Sequence, residues 1–135
     1  MNPQPNNLWT AAGVLLGFQF TAFAWRLSEE EKVRAKKSIP WIPPADFLNL
    51  AAMVINVAGV FLLPILRLLG SRQATVLLGL AALLFVGHPF VIAGHYQMYD
   101  RQDRPRQGYF PHQEKIAVTV VLVLAIIYLI VAAIR

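Results

Sequence analysis

The chain has 135 residues, of which 57% are hydrophobic and only 14% charged, whereas charged residues make up about a quarter of an ordinary soluble domain. That composition excludes a typical water-soluble globule, and the absence of cysteine excludes thiol–disulfide exchange, thiolate metal sites and disulfide stapling. The formal net charge of +5 does not point to nucleic acid, because the basic residues sit in short segments between apolar runs; anionic lipid headgroups match them better, at roughly 1 kcal/mol for each Lys or Arg near the surface.

Residues Met1 to Asn7 carry no Lys or Arg, and the apolar run that follows lacks a small-x-small cleavage pattern. The first hydrophobic stretch, residues 8–25, is therefore expected to be a retained helix rather than a cleaved leader. It carries Gly13-x-x-x-Gly17, extended by Thr21 at the same spacing. Such a row lets a second helix approach closely, within the bundle or from another chain. Ser28-Glu29-Glu30-Glu31 then matches a capping box and predicts a short surface helix over residues 29–37, helped by pairing of Glu30 with Arg34.

Pro40, Pro43 and Pro44 stop any helix ahead of the second span, residues 47–66, and Asp46 is placed to cap its N-terminus. Trp41 among those prolines suggests an anchored, stiffened loop at the interface. Pro64 is expected to kink the end of this span. The third span covers residues 74–93, with Pro89 disturbing the helix beside His88. Pro111 opens the last helix, whose apolar span is 116–134, with Glu114 in its first turn where the macrodipole favours negative charge.

Each span is about 18 to 20 residues long and free of charged side chains, enough at 1.5 Å per residue to cross roughly 30 Å of hydrocarbon. An open sheet would leave backbone groups unpaired in lipid, so the expected fold is all-α: four transmembrane helices in an antiparallel bundle forming one domain over residues 1–135. Nine Lys and Arg fall in loops 26–46 and 94–115, against three at Arg67, Arg72 and Arg135. The excess assigns both long loops to the cytoplasm and both termini to the outside, and the compact form suggests a bacterial inner membrane.

With that topology, depth can be counted along each helix. Gln19 and His88 lie roughly 8 to 9 Å from the cytoplasmic edge, Asn49 roughly 3 to 5 Å and Asn56 near 14 Å. Asp46, Asn49 and Asn56 share one face of the second helix, and His88 and His95 one face of the third. The two faces can meet in a cytoplasm-facing pocket lined by Asp46, Asn49, Asn56, His88, His95, Tyr96 and Gln19. The plainer reading is that these side chains only hydrogen-bond across helices, at an average near 0.6 kcal/mol each.

No nucleophile elbow, His-Glu-x-x-His, phosphate-cradling loop or intramembrane carboxylate pair is present, so no residue is singled out as catalytic or metal-ligating, and no cofactor is specified. His88 and His95 lie about 10 Å apart along one helix and cannot sandwich a haem between them. The leading expectation is a non-catalytic accessory or interaction subunit of a membrane complex, with other membrane subunits or a homo-oligomer as partners. The alternatives are a quinone- or lipid-binding protein and a small oligomeric transporter using the pocket.

Overall fold

The computed structural model describes residues 5–34, 43–96, 98–99 and 111–134. Among them every regular element is helical. Helix α1 runs Pro5–Arg34, α2 Asp46–Ile65, α3 Ser71–His95 and α4 His112–Ile134. All four are long and apolar enough to cross a membrane. The Trp41 clamp, most of the third loop with its arginines and the Lys36 and Lys37 pair lie outside the described residues.

Neighbouring helices run in opposite directions, as their contacts show. Ala12 meets Asn56 and Gln19 meets Asn49 between α1 and α2; Gly59 faces Leu77 and Asp46 faces His88 between α2 and α3; Gly79 faces Tyr128 and Gly94 faces Glu114 between α3 and α4. Helix α2 is the most enclosed of the four, whereas α4 is the least and touches the rest mainly through α3. One apolar cluster (Leu48, Ala52, Ala81, Leu84, Val91, Val121) ties α2, α3 and α4 together, and a smaller one (Leu8, Ala12, Val60, Ala74) joins α1 to the far ends of α2 and α3.

Four local expectations change. The first helix does not stop at Trp25: it continues unbroken to Arg34, so residues 26–34 are helix rather than loop, and no separate surface helix begins at Glu29. Between Gly17 and Pro40 the chain has no glycine or proline to interrupt it. Lys32 Nζ, on this extension, pairs with Glu29 at 2.6 Å, while the side chains of Glu30 and Arg34 lie outside the description.

Pro64 acts on the turns before it. Lacking an N–H, it cannot bond the carbonyl of Val60, and the preceding Val57–Leu62 winds as a π-helix. The helix then closes in a Schellman motif: Leu68 N–H donates to Leu63 O at 2.9 Å and Arg67 N–H to Pro64 O at 3.0 Å, with Arg67 in the left-handed region at φ 58°. Pro89, by contrast, leaves α3 continuous from Ser71 to His95.

Asp46 does not cap α2. The N-cap is Ala45, and the turn Pro43-Pro44-Ala45 receives the N–H groups of Asp46, Phe47 and Leu48 at 2.9 to 3.1 Å, leaving the Asp46 carboxylate to face inward.

Candidate functional site

The polar side chains sort into three connected groups. At one end of the helices, Asp46 is bound from two sides. Arg26 Nε donates to Oδ1 at 3.3 Å and Nη2 to Oδ2 at 3.4 Å, while His88 Nε2 lies 2.8 Å from Oδ1. A carboxylate only accepts, so His88 carries its proton on Nε2 toward Asp46. Arg26 Nη1 also donates to the Tyr96 hydroxyl at 2.9 Å, and its guanidinium carbon stands 5.6 Å from the centre of the Tyr96 ring. Three helices are thus joined through one carboxylate and one guanidinium, and Arg26, Asp46 and His88 are all 5% exposed or less.

The second group centres on Glu114, which is fully buried. Its Oε1 accepts the Ala45 N–H at 2.8 Å and its Oε2 lies 2.8 Å from His95 Nδ1. Glu114 therefore stabilises the start of a helix other than its own: α2 opens on a carboxylate supplied by α4, at the N–H groups that no intrahelical carbonyl can satisfy. The close approach that permits this comes from Gly94, where a Cβ would stand 2.9 Å from Gln113 O and 3.0 Å from Glu114 Cα.

The third group lies deeper, between α1 and α2. Asn49 Nδ2 donates to Gln19 O at 3.1 Å, and Asn56 Nδ2 donates to Ala12 O at 3.0 Å and to Gln19 Oε1 at 3.3 Å. Ala12 and Gln19 are seven residues apart on α1, as are Asn49 and Asn56 on α2, so the contacts repeat every two turns along the antiparallel pair. All three amide side chains are fully buried.

The residues expected at the site are thus placed as follows. Asp46, His88 and Tyr96 come together around Arg26; Gln19, Asn49 and Asn56 come together one level below; His95 turns away from His88 to Glu114. Their side chains meet one another across the helix interfaces. Two participants escaped sequence reasoning. Arg26 reads as a loop charge following an apolar run, and Glu114 as an ordinary first-turn acid.

The row Gly13, Gly17 and Thr21, suited to packing within the bundle or to association with another chain, does not face the other helices. It is exposed on α1, a Cβ at either glycine would meet nothing within 4 Å, and Thr21 Oγ1 donates to Gly17 O at 2.8 Å within its own helix. The close helix crossings fall instead at Gly59, Gly79, Gly87 and Gly94.

A groove of about 580 Å³ runs between α3 and α4, walled by Leu83, Val86, Phe90, Ile116 and Val120, with Tyr99 and Gln113 at its polar end. Among the described residues no group of three or more His, Cys, Asp or Glu side chains is arranged to hold a metal ion. Compared with protein families, curated proteins and solved structures, the chain matches none.

Proposed function

We propose that the protein is a four-helix antiparallel bundle inserted in a membrane, acting as a non-catalytic accessory or interaction subunit of a larger membrane complex. The observation that carries this reading is the division between interior and exterior. The strongly polar side chains of the candidate site are spent on joining helices, while α1 turns its Gly13, Gly17 and Thr21 row outward, where a second transmembrane helix could approach closely. The charge excess of the first and third loops supports placing them in the cytoplasm with both termini outside, as in a bacterial inner-membrane protein.

The test is extraction from native membranes in mild detergent. A complex heavier than a monomer with its micelle, containing a partner or second copy in fixed ratio, is the expected result. Gly17→Leu should release the partner without lowering the melting temperature, since a Cβ at Gly17 meets nothing of this chain within 4 Å. Recovery of the wild type as a monodisperse monomer, with no crosslinked neighbour, rejects the proposal.

A second reading is favoured by the groove between α3 and α4. Its wall is almost wholly apolar and its polar end carries Tyr99 and Gln113, a combination suited to a lipid or quinone whose tail lies along the helices. Val120→Trp, which fills the groove from its open side, would remove such a ligand from the purified protein; an unchanged lipid and quinone content would argue against this reading.

A further inference from the structure

The amides of Gln19, Asn49 and Asn56 each use part of their hydrogen-bonding capacity and leave part over. Gln19 Nε2, Asn49 Oδ1 and Asn56 Oδ1 are buried and have no partner among the described residues. Turning an amide end for end does not remove the surplus. With Asn49 turned, its Oδ1 would face the Gln19 carbonyl oxygen, and with Asn56 turned, its Oδ1 would face that of Ala12. With Gln19 turned, its Nε2 would face the Asn56 Nδ2 donor. The backbone carbonyls of α1 thus fix the orientation of both asparagines, and Asn56 fixes that of Gln19.

We propose that the seam between α1 and α2 is a hydrated site that binds at least two ordered water molecules. Buried polar groups are satisfied by protein or by water, and internal waters typically make about three hydrogen bonds each. One donor and two acceptors are what water complements, since it offers both functions. The number follows from spacing: Asn49 and Asn56 are seven residues apart, and so are the Gln19 and Ala12 carbonyls that hold their amides, about 10 Å along each helix, whereas one water linking two groups at about 2.8 Å each spans no more than about 6 Å. One water serves Asn49 Oδ1 and a second serves Asn56 Oδ1, with Gln19 Nε2 donating to either.

Asp46 and His88 lie one turn from Asn49, toward the start of α2, and form the polar end of the seam; Leu8, Val60 and Ala74 close the apolar end. The result is a row of polar groups that enters the bundle from one end and stops near its middle.

The experiment uses the full wild-type chain in lipid nanodiscs, with magnetisation transferred from water to protein in solid-state NMR. The side-chain amide of Gln19 is identified by its loss in Gln19→Met. At mixing times too short for any transfer to the backbone amide of Ala81, which is fully buried in the apolar cluster, the Gln19, Asn49 and Asn56 amides should already be polarised. In Gln19→Met the Asn49 amide should keep its water signal. Side-chain amides as dark as Ala81 in the wild type would overturn the hydrated seam, and loss of the Asn49 signal in Gln19→Met would overturn the two-water arrangement.

Discussion

Arg26 and Asp46 form an ion pair in which the two side chains are 5% and 3% exposed, with Arg26 Nε 3.3 Å from Asp46 Oδ1. Neither charge is solvated by bulk water, so each depends on the other and on His88 and Tyr96 around them. Removing one member of a buried pair typically costs about 3 to 5 kcal/mol, because it strands the other charge, whereas replacing both by apolar groups can be neutral.

The two single substitutions are not equivalent. Asp46→Asn leaves a guanidinium that cannot lose its proton. Arg26→Met leaves a carboxyl group that still has His88 and can itself become neutral. Asp46→Asn should therefore lower stability more, by about 3 to 5 kcal/mol, and the double variant Arg26→Met with Asp46→Asn should lose clearly less than the sum of the two. Melting in detergent across the four proteins of the cycle measures it. Equal, additive losses would show that the pair contributes nothing as a pair.

Glu114 connects α4 to α2 and α3 through its two oxygens. Glu114→Ala strands the Ala45 N–H and removes one contact of the His95 ring, with an expected cost of about 1 to 3 kcal/mol for the unsatisfied buried group. Glu114→Gln retains one oxygen for Ala45 and should lose less. Hydrogen exchange separates this from general loosening: the amides of Ala45 to Leu48 should exchange faster in Glu114→Ala while those around Ala81 stay protected.

The glycines divide by what surrounds them. At Gly94 a methyl group would press on the backbone of Gln113 and Glu114, and backbone cannot move aside as a side chain can. Gly94→Ala should cost about 1 to 3 kcal/mol, the usual range for overpacking, and should weaken the Glu114 contacts as well. Gly13→Ala meets nothing and lies inside a helix, so the gain in helix propensity of up to about 1 kcal/mol in soluble helices sets its direction. Thermal melts of the two variants should move in opposite directions.

The four helices are legible in the sequence because hydrocarbon demands about 20 consecutive apolar residues wherever a helix crosses it. The shared face of Asp46, Asn49 and Asn56 is legible for the same kind of reason, a fixed rotation per residue. Partners are harder to read. Arg26 follows Trp25 at the end of an apolar run and looks like a topology-setting loop charge; the readable clue was the lack of any helix breaker before Pro40. Glu114 looks correctly placed for its own helix dipole, and nothing local reveals that its oxygens serve α2 and α3. For Gly13 and Gly17, the rotation of α1 about its axis decides what they face, and a helix apolar on nearly all sides does not encode that rotation.

The absence of cysteine in the native chain makes the proposed orientation directly testable, since a single introduced thiol is the only one that can react. Lys32 and Ser71 are both exposed and lie toward opposite ends of the helices, Lys32 on the extension of α1 and Ser71 at the start of α3. If the end of the bundle that carries the basic excess faces the cytoplasm, a membrane-impermeant maleimide added to intact cells of the native host should modify Ser71→Cys. It should reach Lys32→Cys only after permeabilisation. The opposite pattern would invert the topology, and labelling of both sites in intact cells would mean that the copies insert in two orientations despite the charge difference between their loops.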